Sequence, residues 1–156
     1  MKERLCFMLS KENKAVFRRF IEAYNAHNLD LLDDLVAPDY VDPDYPQLKG
    51  LEGLKQMMSM AFMAFPDYHE TIEDIIAEED KVWILLRYTG THKGEFMGLA
   101  PTGKKLRSLA VDMYRLEDGK IVWGKRIPTP DLAFFKQLGL IEYTEAGKQL
   151  FPEDAK

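Results

Sequence analysis

Cysteine is nearly absent from this sequence. Cys6 is the only one in 156 residues, so no internal disulfide can form, and a reducing compartment is the expected setting. Histidine is almost as scarce. His27, His69 and His92 fall at none of the spacings that zinc sites use. No metal or other cofactor is expected. Long apolar runs are missing too. The longest block, Met57 to Phe65, is interrupted by Ser59 and falls well short of the ~20 residues a membrane-spanning helix needs. The apolar stretch from Leu5 to Leu9 is likewise too short for a secretion signal, and Lys11, Glu12 and Lys14 follow it. Positive charge is not in excess. Lys and Arg number 21 against 26 Asp and Glu, giving a formal charge of −5 and a pI near 5.3. Nothing there favours a nucleic acid or an anionic membrane as partner. These absences point to a cytoplasmic protein.

What is present is ordinary globular composition, 46% hydrophobic and 30% charged, at a length that suits one domain. Ser10 can cap a helix over 11–27, in which Phe17, Phe20, Ile21 and Tyr24 form one stripe. A short second helix is expected over 29–36, ended by Pro38. Tyr40 to Pro46 reads as a turn-rich loop. A third helix over 51–65 carries Leu54, Met57, Met58, Ala61, Phe62 and Phe65, and Pro66 stops it. Met60 and Met63 on its other face suggest cover from two sides. From Tyr68 the period changes to two. Ile72–Ala77, Val82–Thr91, Leu106–Leu116 and Ile121–Ile127 are β-branched or aromatic runs separated by short turn signals. Four antiparallel strands follow, with Asp131 to Leu138 as a last short helix. Helices first and strands after make an α+β fold, with helices on one sheet face.

Several strings in this order resemble one family. Gly90-Thr91-His92-Lys93-Gly94-Glu95-Phe96, Pro101-Thr102-Gly103-Lys104 and Tyr114-Arg115-Leu116-Glu117-Asp118-Gly119-Lys120-Ile121 carry the likeness, together with Phe65-Pro66-Asp67 and Gln137-Leu138-Gly139. They are similar to the SnoaL-like polyketide cyclases and span a core of about 11–140 within a single domain over 1–156. The resemblance implies the cone-shaped nuclear-transport-factor-two-like fold, shared with ketosteroid isomerases. It also implies a cofactor-free cyclase or isomerase acting on a small apolar carbonyl compound. That fold hosts enzymes and binding proteins alike.

The resemblance nominates the candidate residues. The family's acid-base aspartate follows the last strand, and Asp131 is the nearest match; an aspartate there also caps the final helix. The family's strand histidine is replaced by Tyr114, which can donate to an enolate oxygen but is a poor base at neutral pH. Asp112 resembles the protonated oxyanion-hole acid of the isomerases, whose paired carboxyls are a known system, and Val41-Asp42-Pro43 resembles the loop that holds their base. Period-two alternation groups Asp112 with Ser108, Ala110 and Tyr114. Because exposed aspartate is the commoner case, a solvated strand face is the first reading and a pocket wall the second. Asp42 before a proline is more often a turn former, and His92 is either structural or catalytic. Phe20, Tyr24, Phe62 and Trp123 are candidates to line a pocket, or to be plain core.

Two functional classes remain. One is an acid-base enzyme of the cyclase or isomerase type. The other is a module of the same fold that binds a small hydrophobic molecule or dimerises without turnover. Apolar residues of both strand parities, Ile84 and Leu86 against Trp83 and Leu85, predict a homodimer through the outer sheet face.

Overall fold

In the computed structural model the chain enters as one long helix, α1, spanning Lys2–Asn25, and Ser10 lies inside it rather than at its start. The residues before Ser10 explain the difference, since Lys2, Glu3, Arg4, Leu5 and Met8 are all good helix formers. The structure describes the backbone of residues 2–129 and 131–150, and the side chains of residues 9–127 and 134–149. The helix stops where His27 takes a φ of 53°. There the amides of His27 and Asn28 bond back to the carbonyls of Tyr24 and Ala23 at 2.9 and 3.0 Å, a left-handed helix end.

The next segment departs from expectation. A 3₁₀ helix covers Leu29–Asp34 only, and Val36–Val41 is a strand, β1. It runs parallel to the last strand at the edge of the sheet. Pro38 reads as a helix stop in the sequence, yet at an edge its missing N–H costs no ladder bond. The turn-rich loop therefore begins after Val41. Helix α2, Gly50–Ala64, follows as expected, but Met60 and Met63 are 57% and 67% exposed. That face of α2 is open, not covered.

The remaining strands are β2 (His69–Glu78), β3 (Lys81–Thr91), β4 (Lys105–Glu117) and β5 (Lys120–Thr129). They pair antiparallel in sequence order, giving β1-β5-β4-β3-β2. Two short helices end the described chain, α3 (Asp131–Leu138) and α4 (Glu145–Leu150). Helix α1 lays Phe17, Phe20, Ile21 and Tyr24 on the inner sheet face, against Val82, Ile84, Leu86 and Leu116. Phe17 is fully buried, which stabilises the fold by about 1.5–3 kcal/mol relative to leaving it in water. Among the described residues no helix is long and apolar enough to cross a membrane.

The strings that carry the family likeness turn out to be fastenings. Asp67 takes both the N–H and the hydroxyl of Thr91 at 2.6 Å, which joins the end of α2 to β3. Those two bonds hold its carboxyl below the usual carboxylate range, against a smaller upward effect of burial. His92, fully buried, receives the Thr102 amide at Nδ1 (3.3 Å), with the Thr102 hydroxyl 3.0 Å from the same nitrogen. The neck of the β3–β4 loop is thereby closed. Gly94 leaves no room for a side chain, because a Cβ would strike the Met63 carbonyl. Gln137 clamps the Arg107 backbone, accepting its N–H at 2.7 Å and donating to its carbonyl at 3.0 Å. Each of these four contacts secures one crossing of the fold.

Candidate functional site

Asp112 sets the site, and it is buried. Only 1% of it is exposed, which overturns the solvated strand face as the first reading of this residue. Its β4 position pairs with Arg126 on β5, so both side chains leave the same face of the sheet. Arg126 Nε donates to Asp112 Oδ1 and Nη2 to Oδ2, each at 2.9 Å. The fork-to-fork geometry is that of a bidentate ion pair. Tyr114 adds a third donor to Oδ2 at 3.0 Å. Both Asp112 oxygens therefore accept hydrogen bonds, where the isomerase resemblance implies a proton donor.

Arg126 reaches a second carboxylate. Its Nη2 also donates to Glu70 Oε1 at 2.6 Å, and Nη1 donates to the Tyr68 hydroxyl at 3.2 Å. Tyr68 in turn donates to Glu70 Oε1 at 2.8 Å. Glu70 is 2% exposed. Asn25, at the end of α1, grips its backbone, donating to the Glu70 carbonyl and accepting its N–H, both at 2.8 Å. Strands β5 and β2 are three strand spacings apart, about 14 Å on a flat sheet. The long guanidinium arm spans that gap by crossing over the Tyr88 ring, 5.7 Å from its centroid. Bulges in the β2 and β4–β5 pairings curl the sheet and shorten the span.

Two buried carboxylates thus share one guanidinium. Burial alone would weaken the positive charge on Arg126, but Glu70 and Asp112 outweigh it and hold its pKa well above the ordinary value. Tyrosines surround the cluster. Burial first, and then the nearby carboxylates, push the hydroxyls of Tyr24, Tyr40, Tyr68 and Tyr114 upward, so all four stay protonated donors. Tyr24 and Tyr40, 7% and 5% exposed, make no side-chain hydrogen bond among the described residues. Neither hydroxyl is sealed, since the sealed polar side-chain atoms without partners there are His92 Nε2 and Lys136 Nζ. Arg126 keeps 36% of its side-chain surface accessible although both carboxylates are at 1%.

The other candidates separate. Asp42 stands at the start of the loop after β1, where its Oδ1 accepts the Asp44 amide at 2.9 Å. Burial raises its pKa, the backbone bond from Asp44 opposes this, and the carboxylates of Asp44 and Asp112 add to the rise. With Tyr40 it lines an open cleft of about 500 Å³ walled by Pro38, Val41, Pro43 and Pro46. Tyr40 connects that rim to the cluster, because its hydroxyl lies against Gly124 beside the Tyr114 ring. His92 lies apart, with Phe65 and Phe96 at 5.3 and 6.4 Å between ring centroids. Phe20 packs on Phe17 and Tyr114. Phe62 sits between Tyr24 and His27, at 4.9 and 3.9 Å. Trp123 lies beside the outer-face residue Arg115, whose guanidinium is 5.7 Å from its ring. Asp131 begins α3, and its side chain lies outside the described residues.

Sequence reasoning missed Glu70 and Arg126. In the β4–β5 ladder Arg126 pairs with Asp112 as Gly124 pairs with Tyr114, a register that the sequence alone does not give.

Comparison with known proteins fits this architecture. Residues 14–138 match the family model described as SnoaL-like polyketide cyclase. Aklanonic acid methyl ester cyclase AcmA of Streptomyces galilaeus is 30% identical over 115 residues, covering 70% of this chain and 79% of that protein. IdmH of Streptomyces antibioticus, a candidate polyketide cyclase, superposes with a TM-score of 0.69 at 30% identity, over 81% of this chain and 98% of its own. AclR of Streptomyces galilaeus, a candidate hydroxylase, gives 0.73 at 29% identity, over 85% and 99%.

Proposed function

This chain belongs to the SnoaL-like polyketide cyclase family, and from that premise we propose that it closes a carbocyclic ring by acid-base catalysis. The substrate class is a small, largely apolar polycarbonyl compound of the kind the aklanonic acid methyl ester cyclases are named for. One observation carries the reading: a buried carboxylate–guanidinium–carboxylate cluster is ringed by protonated tyrosine hydroxyls, on an arginine side chain that keeps part of its surface accessible. Such a site can accept a proton from carbon and hold the enolate oxygen that results. Asp112 serves as the anchor that aims Arg126, and Tyr114 supports that anchor where the family pattern has a histidine. Asp42, with its raised pKa, stands at the rim and meets the ligand on entry. Asp131 remains the proposed partner at the start of α3.

Ring closure by an aldol step conserves mass. Incubation with aklanonic acid methyl ester or a simpler aryl 1,5-diketone is expected to yield an isomer, seen as a shifted chromatographic peak of unchanged mass. Binding of these compounds with no isomer formed would instead identify the non-catalytic ligand-binding module.

The homodimer belongs to the same proposal. On the outer sheet face Trp83, Ile76, Leu109 and Ile127 are 37–65% exposed, and cross-strand pairing places them beside Leu85, Val111 and Met113. A second copy covers this face. Light scattering at micromolar concentration is expected to give twice the chain mass, and Trp83→Glu to give a monomer. A monomeric wild type would exclude the interface.

A further inference from the structure

We propose that Glu70 is the catalytic base of this site, taking the proton through its Oε2 oxygen. The inference rests on the ring-closing reading above and assigns its proton transfer to one atom. Both bonds that Glu70 accepts at its side chain fall on Oε1, from Arg126 and Tyr68. Oε2 accepts none among the described residues, yet it is not among the sealed polar atoms there. Asp112 differs: one of its oxygens accepts from Arg126 and the other from Arg126 and Tyr114. Of the two buried carboxylates, Glu70 alone keeps an oxygen that accepts no hydrogen bond among the described residues.

Charge leads to the same oxygen. Glu70 and Asp112 share the single guanidinium of Arg126, so the cluster carries one more negative group than positive. The site also offers donors for the charge that leaves Glu70. The second Nη1 hydrogen of Arg126 has no acceptor among the described residues, because Nη1 makes one bond, to Tyr68. The hydroxyls of Tyr24 and Tyr40 are likewise without partners there. Tyr24 lies close to the cluster, its ring centroid 5.4 Å from that of Tyr68.

The step balances within these groups. The C–H bond next to a substrate carbonyl breaks, and its proton forms an O–H bond at Oε2. The electron pair becomes the carbon–carbon double bond of an enolate, whose oxygen takes the charge and accepts from Arg126 and a tyrosine. The enolate carbon then attacks a second carbonyl of the same molecule, forming the ring bond. The new alkoxide recovers the proton from Glu70. The total charge of site and substrate is constant throughout, and no other reactant is consumed. The buried charge moves a short distance instead of being created.

The test uses 2-tetralone, an activated apolar ketone, and the full-length protein in deuterated buffer. Proton NMR follows loss of the α-proton signals, and protein fluorescence follows binding. Wild type is expected to speed exchange. Glu70→Gln should slow it at least ~100-fold, the usual size of a general-base contribution, while binding stays within about threefold. The melting temperature of Glu70→Gln should equal or exceed that of wild type, because the amide removes the surplus negative charge and leaves the Arg126–Asp112 pair intact. A purely structural Glu70 would lower it. Glu70→Asp keeps a carboxylate one methylene short and should exchange at an intermediate rate, which decides the matter if the glutamine variant does not fold. Wild-type exchange rates in Glu70→Gln, or in a folded Glu70→Asp, would remove Glu70 as the base and leave the ring-closing reading standing. Wild-type protein that binds 2-tetralone without exchanging its protons would end both.

Discussion

Arg126→Met is expected to destabilise the protein by about 3–5 kcal/mol, the cost of leaving buried carboxylates without their counter-ion. Glu70 and Asp112 are 2% and 1% exposed, so water can replace little of what the guanidinium supplies. On a domain of this size the loss lowers the melting temperature by roughly 10 °C. Thermal unfolding reads this loss directly, and a variant melting within about 2 °C of wild type would reject the electrostatic explanation. Arg126→Lys should fall between the two, because an ammonium keeps the charge and loses the fork that engages Asp112 through two nitrogens. Replacing all three members together by Met, Leu and Leu should recover most of the stability and none of the activity. The cluster would then be retained for its chemistry, not for the fold.

The contrast between fold and site in this chain has a physical cause. Period 3.6 along Phe17, Phe20, Ile21 and Tyr24 and period 2 along Val82, Ile84 and Leu86 are written in apolar residues, and all seven side chains are buried. Burial of apolar surface is what those patterns encode, so the elements were legible. β1 was not, because Pro38 within six residues imitates a helix stop and a parallel edge strand needs no turn beside it. Ser10 misled in the opposite way, being a capping residue that the helix runs through. The site was legible only as far as Asp112, which lies on the inward parity of β4. On β5, Lys125 and Arg126 are adjacent, so charge occurs on both faces and parity alone assigns neither. Glu70 opens a strand, where an exposed charge is the ordinary expectation. What unites Glu70 and Arg126 is the curl of a sheet that holds them on strands β2 and β5, and no local pattern records that distance.

Gly124→Ala is expected to damage the site more than the fold. Gly124 lies opposite Tyr114 in the β4–β5 ladder, and a Cβ there would meet the Tyr114 ring at 2.5 Å as well as the Tyr40 hydroxyl. Both rings must move. The Phe17 ring, 4.3 Å from that of Tyr114 and itself fully buried, blocks retreat toward α1. Overpacking of this kind costs about 1–3 kcal/mol. Activity should fall further than that figure suggests, because displacement of Tyr114 removes a donor from Asp112 and loosens the carboxylate that aims Arg126. A misplacement near 1 Å at a reacting centre can cost on the order of 100-fold in rate. Tyr40→Phe offers a control. It removes the hydroxyl that clashes, so the double variant Gly124→Ala/Tyr40→Phe should be more stable than the sum of the single effects predicts. Additive effects would mean that Tyr40 does not lie against Gly124. Recovery of stability without recovery of ring closure would place the loss of activity at the displaced Tyr114 and the missing Tyr40 hydroxyl, not in the fold.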